Sequence, residues 1–117
     1  MRDVKEIFVD IDSMIADKFL AHLTEDVVFR FGNGDPVVGH AAVREAVNGF
    51  WTTINGMHHH LLKSYDVGDT TIARLDVEYE RLDGKSVTVP NADVLVFEGD
   101  RVKNWQIYID LAPVFAP

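Results

Sequence analysis

The sequence predicts an α+β fold, with helices gathered on one face of a curved, mostly antiparallel sheet. Two apolar stripes at helical spacing occupy only the first half of the chain. From His58 onward the apolar period changes to two. The connections between the later runs, Gly68-Asp69, Asp83-Gly84 and Gly99-Asp100, are short enough to join only antiparallel neighbours.

Each element follows from its residues. Val4, Ile7, Phe8, Ile11, Ile15, Phe19 and Leu23 step by three or four, which predicts one amphipathic helix over residues 3–22. Val27-Val28-Phe29-Arg30-Phe31 is a short β-branched and aromatic strand, ended by the turn residues Gly32-Asn33-Gly34-Asp35-Pro36. Val43, Ala46, Val47, Phe50 and Ile54 write a second helix after Gly39-His40, losing their grip at Asn55-Gly56. Four long strands follow, over residues 58–66, 70–82, 85–97 and 101–111.

The 117 residues suit one domain spanning 1–117, with no repeat or linker. Eleven Lys and Arg stand against 19 Asp and Glu, a formal charge of −8. Without a basic stripe the chain is not expected to bind nucleic acid or an anionic membrane surface. Cysteine is absent, which excludes disulfides, thiolate nucleophiles and Cys-ligated zinc. No apolar run approaches the roughly 18 residues of a membrane span, and the expectation is a soluble, cytoplasmic protein.

Candidate chemistry lies on the strands. Arg74 and Asp76 share one strand face with Glu78, about 6.6 Å apart along the chain, while Ala73, Leu75, Val77 and Tyr79 share the other. On the last strand Tyr108 and Asp110 lie on one face, opposite Trp105, Ile107 and Ile109. An arginine bridging two carboxylates holds both in place, so their environments can drive one toward base and one toward acid. The same pattern is also what the wet face of a half-exposed sheet looks like. In His58-His59-His60 only His58 and His60 point the same way, so a metal would need a further ligand such as Asp93 or Asp110. No metal site is expected there, and one histidine is instead a candidate acid–base or hydrogen-bonding group. Asn33 and Asp35 follow a strand, where a loop can lean over a pocket, and Phe31 belongs to core or pocket wall.

The order of elements, with Gly39-His40-Ala41-Ala42-Val43-Arg44 opening the second helix and Tyr108-Ile109-Asp110-Leu111-Ala112-Pro113 closing the last strand, resembles the SnoaL-like branch of the nuclear transport factor two superfamily. That resemblance implies a cone-shaped, cystatin-like α+β barrel with an internal pocket, commonly dimerising through the outer sheet face. It leaves activity open, because this fold hosts isomerases, cyclases, hydrolases and binders. Arg74-Leu75-Asp76 and Asp110 match the Asp-Arg-Asp set of limonene epoxide hydrolase, with Phe31-Gly32-Asn33 standing where that family has Tyr-x-Asn. Asp35-Pro36-Val37 resembles the base loop of ketosteroid isomerase, although the first helix lacks that family's tyrosine. Polyketide cyclases of the SnoaL type use a late-strand Asp, which Asp110 would supply, with His58 or His59 orienting substrate.

The leading expectation is a cofactor-free enzyme acting on a small apolar molecule, with Asp76, Arg74 and Asp110 as catalytic residues. In an epoxide hydrolase Asp76 would deprotonate water, Asp110 would protonate the epoxide oxygen and Arg74 would bridge them. Asn33, Asp35, Phe31, His58, His59, Asp93 and Tyr108 are candidate pocket residues. The alternative is a non-catalytic binder or a dimerising accessory protein, with Leu75, Val77, Tyr79, Trp105, Ile107 and Ile109 as an apolar outer surface for a homodimer.

Overall fold

A computed structural model describes residues 2–117. Helix α1 (Val4–Asp12) starts at Asp3, whose carboxylate accepts from the backbone N–H groups of Lys5 and Glu6. Its inward stripe is Val4, Ile7, Phe8 and Ile11. The single long helix of the sequence reading is divided: Met14 adopts φ 56°, and a short α2 (Ala16–Leu20) follows. A left-handed residue ends the first hydrogen-bonded run while the three-four apolar spacing continues through the kink, so spacing alone does not reveal the break.

Strand β1 (Leu23–Phe31) pairs with a two-residue β2 (Val37–Val38) in what read as loop. Helix α3 (His40–Trp51) begins after Gly39 at φ 88°, a conformation that favours glycine, and Gly39 donates its N–H to Val27 at 2.8 Å. Strands β3 (Ile54–Val67), β4 (Thr70–Arg81), β5 (Ser86–Glu98) and β6 (Arg101–Ile109) form the predicted antiparallel meander, and α4 (Ala112–Phe115) closes the chain. The sheet order is β2-β1-β6-β5-β4-β3, with β1 parallel to β6. Parallel pairing is available there because most of the chain intervenes between the two strands. A register shift between Leu61 and Lys63 bends β3 and adds to the curvature.

Facing is the principal correction to the sequence reading. Ala73, Leu75, Val77 and Tyr79 are buried, as are Val89, Leu95 and Trp105, and all join one core with the helices. They therefore line the concave interior and do not form an outer surface for a dimer. The helices have only one apolar face each, so the sheet must turn its apolar side toward them. Arg74, Asp76, Glu78 and Tyr108 consequently lie on the convex side. No helix among the described residues is long and apolar enough to cross a membrane.

Candidate functional site

The cone encloses a cavity of about 160 Å³ between the sheet, α1, α2 and α3. Phe19, Phe29, Phe31, Phe50, Trp51 and Trp105 supply six of the sixteen residues of its wall. Edge-to-face contacts lock this lining: Phe19 lies 5.4 Å from Trp105 and 5.7 Å from Phe29, with ring planes near perpendicular.

Four polar side chains interrupt the apolar wall, all from inward positions of neighbouring strands: His59 on β3, Tyr79 on β4, and Asn91 and Asp93 on β5. Along β5 the inward row runs Val87, Val89, Asn91, Asp93, Leu95, Phe97. Two polar residues within an otherwise apolar row were a legible signal. Asn91 is not among the sequence candidates, because an uncharged amide in an alternating strand stands out less than the charged row opposite it.

Asp93 is 1% exposed. Asn91 Nδ2 donates to its Oδ1 at 2.8 Å and Trp105 Nε1 to its Oδ2 at 3.2 Å. Burial pushes its carboxyl up from 3.8 to about 6, against the opposing pull of these donors and of the nearby His59. The Asp93 carboxyl thus titrates close to neutrality. Burial, with the negative charges of Asp93 and Asp12, drives Tyr79 well above the ordinary phenol range. Its hydroxyl stays protonated and can donate a hydrogen bond.

His59 is held by the last residue of α1. Its Nδ1 pairs with Asp12 Oδ1 at 2.5 Å, and its backbone N–H donates to Asp12 Oδ2 at 2.9 Å. The ring stacks on Phe8, with centroids 5.0 Å apart. A carboxylate receives the Nδ1 proton, which leaves the Nε2 lone pair free in the neutral ring. No protein partner meets Nε2 among the described residues. An acidic side chain at a helix C-terminus is electrostatically unfavourable by itself, so the His59 contact also compensates Asp12. The sequence gives no periodic hint of this pairing, since Asp12 and His59 are 47 residues apart.

The Arg74, Asp76 and Asp110 set is not assembled around this cavity. Arg74 is exposed and Asp76 half-buried, and the two border a shallow outer depression with Tyr108, Leu62 and Ala92. Asp110 is exposed and accepts from the Ala112 N–H at 2.9 Å, bracing the turn into α4. No hydrogen bond or ion pair joins Arg74 to either acid among the described residues. Asn33 and Asp35 lie in the exposed turn after β1, away from the cavity wall, whereas Phe31 does line it. His58 is exposed and tilts against His60, with ring centroids 4.3 Å apart, and His60 meets Glu78 at 3.2 Å. Among the described residues no cluster of three ligating side chains is arranged to hold a metal ion.

The fold finds its parallel among known proteins. A family described as SnoaL-like domain matches residues 4–105. The chain belongs to the SnoaL-like family. Among solved structures, a hypothetical protein with a ketosteroid isomerase-like fold from Catenulispora acidiphila, in complex with trimethylamine, has a TM-score of 0.88 at 17% identity, covering 97% of this chain and 88% of that one. An NTF2-like protein of unknown function from Burkholderia pseudomallei has a TM-score of 0.86 at 20% identity, over 95% and 90% of the two chains. A putative SnoaL-like polyketide cyclase from Jannaschia gives 0.79 at 14% identity, over 97% and 92%. No curated protein matches the chain. The SnoaL-like cone with an interior pocket is thus a fold for small-molecule binding or cyclase and isomerase chemistry, and at these identities the structural likenesses speak to fold alone.

Proposed function

We propose that this SnoaL-like protein is a small-molecule enzyme that moves protons within its interior cavity, with His59 as the base. The observation that carries the reading is the Asp12–His59 pair, in which one carboxylate holds both the ring Nδ1 and the backbone N–H of His59 and leaves Nε2 without a partner among the described residues, beside an apolar cavity. The substrate is a carbonyl compound with an acidic neighbouring C–H. His59 Nε2 takes that proton and the C–H electron pair moves onto the carbonyl oxygen. The neutral Tyr79 phenol and the remaining Asn91 N–H are the donors available to the developing oxyanion. Return of the proton to a different carbon gives an isomer, and attack of the same carbanion on a second carbonyl of the substrate gives a ring. Asp93 positions Asn91 and Trp105 by accepting from both.

Isomerisation or cyclisation is favoured over epoxide hydrolysis because Arg74 and Asp76 lie outside the cavity. The test is exchange of α-protons for deuterium in a panel of enolisable ketones of increasing size, followed by NMR in D2O. Catalysed exchange that disappears in His59→Gln supports the reading. Exchange of undiminished rate in that variant overturns it.

A second reading, a non-catalytic binder, is favoured by the almost wholly apolar cavity wall. Ligand binding without proton exchange in any ketone would select it. Either way, the exposed Leu62, Ile72 and Tyr108 on the convex face are the surface we assign to a homodimer, in place of the residues now found inside. Sedimentation of Tyr108→Glu as a monomer beside a dimeric wild type would support that assignment.

A further inference from the structure

We infer that the ligand of this cavity is an uncharged molecule built on a single ring, with one carbonyl-type head, which narrows the proposed chemistry to isomerisation; this rests on the reading of the cavity as the site. Three observations lead there.

Size comes first. A cavity of about 160 Å³ is far below the 300 Å³ or so at which ordinary ligand pockets begin. It is close to the roughly 150 Å³ of an engineered apolar cavity that takes up benzene. The space cannot grow without moving aromatic rings that pack on one another. Phe50 sits 5.0 Å from Phe31 and 6.0 Å from Tyr79, and it reaches Phe115 of α4 at 6.4 Å. Phe50 and Leu111 therefore set the limit on the side toward α4.

Charge comes second. Among the described residues no lysine or arginine lines the cavity, while the Asp93 carboxyl does and Asp12 stands behind His59. A carboxylate or phosphate ligand would enter with no counter-charge and face existing negative groups. A cation fares no better at close range. Each Asp93 oxygen already accepts a donor, from Asn91 and from Trp105, and the residue is 1% exposed, so an ammonium finds little carboxylate surface to meet.

Polarity comes third. Apart from the indole N–H groups of Trp51 and Trp105, the polar side chains that meet the cavity stand on the three consecutive strands β3, β4 and β5, and the rest of the wall is apolar. One polar head directed at that side, with an apolar ring behind it, satisfies the donors without stranding a second polar group.

The chain's two tryptophans, Trp51 and Trp105, both line the cavity, so tryptophan emission reports its occupancy directly. The experiment titrates the intact protein with acetophenone, acetonaphthone, benzoate and benzylammonium by emission and calorimetry. Acetophenone is expected to bind at least about tenfold more tightly than the other three, the discrimination a tight apolar pocket can impose. Phe50→Ala is expected to reverse the order of the two ketones by opening room for the second ring, and Leu111→Ala serves the same purpose should Phe50→Ala not fold. If acetonaphthone or a charged compound binds wild type as tightly as acetophenone, and the cavity variants alter that binding, the single-ring inference falls while the site stands. If no compound binds, or binding ignores both cavity variants and His59→Gln, the site itself is misplaced and the inference goes with it.

Discussion

The two faces of β4 carry opposite kinds of information. Its convex side holds Arg74, Asp76 and Glu78, the densest charge on the sheet, and these residues meet solvent or a shallow depression. Its concave side holds Ala73, Leu75, Val77 and Tyr79, with one hydroxyl among them, and that side meets the cavity. Charged residues in water are inexpensive and their arrangement means little. A polar group inside an apolar wall costs folding free energy and must be held by partners, as Asp93 is by Asn91 and Trp105. The scarce polar groups of the interior therefore mark chemistry better than the abundant charges outside.

The sharpest way to break this contrast is catalytic. His59→Gln is expected to lower ketone proton exchange by about 10²- to 10⁴-fold, the usual worth of a positioned base. Arg74→Gln and Asp76→Asn should leave it within about twofold. Should the outer pair prove essential and His59 dispensable, the two faces have been assigned the wrong way round.

Stability supplies the next contrast. Trp105→Ala removes a fully buried ring that packs on Phe8, Phe19 and Phe29, and should cost about 3–5 kcal/mol in urea unfolding. Tyr108 is three residues away on the convex side and 59% exposed, and its replacement by Ala should cost less than about 1 kcal/mol in the monomer. Comparable losses at the two positions would contradict the facing.

Asp93 gives a contrast in pH. Its folded-state pKa of about 6 lies above the ordinary 3.8, so the folded chain holds the proton more tightly than the unfolded chain. The contribution of this group to stability is therefore greatest below about pH 4 and is lost as pH rises toward 6, a difference of about 3 kcal/mol once complete. Asp93→Asn should remove that component, making unfolding free energy less dependent on pH between 4 and 7 by about this amount. Unchanged pH dependence in the variant would mean that burial does not govern Asp93. At the small end, Glu78→Gln on the convex face should shift stability by no more than about 0.5 kcal/mol.

Much of the fold was legible because it is written in periodicity. The switch from three-four spacing to alternation located the helices and the four-strand meander, and the short glycine turns fixed their antiparallel order. The candidate site was half legible. His59, Asp93 and Phe31 stood among the sequence candidates and line the cavity, whereas Asp12 and Asn91 were missed and Tyr79 was placed on the opposite face. Alternation says which residues share a face without saying which face is concave. The choice was settled here by the charged pattern of Arg74, Asp76 and Asp110, when the apolar stripes of the helices were the stronger constraint.

By itself, then, the sequence determined the kinds and order of the elements, the grouping of side chains into faces and the acidic, cysteine-free chemistry available to them. Those are local properties, set by side-chain spacing and turn residues. Only the tertiary structure decided which face closes around the cavity, that β1 runs parallel to β6, and that Asp12 reaches His59 across 47 residues. These depend on burying the apolar stripes of α1 and α3 against the sheet and on curvature that draws β3, β4 and β5 around a common interior. Neither is a property of any single stretch of chain.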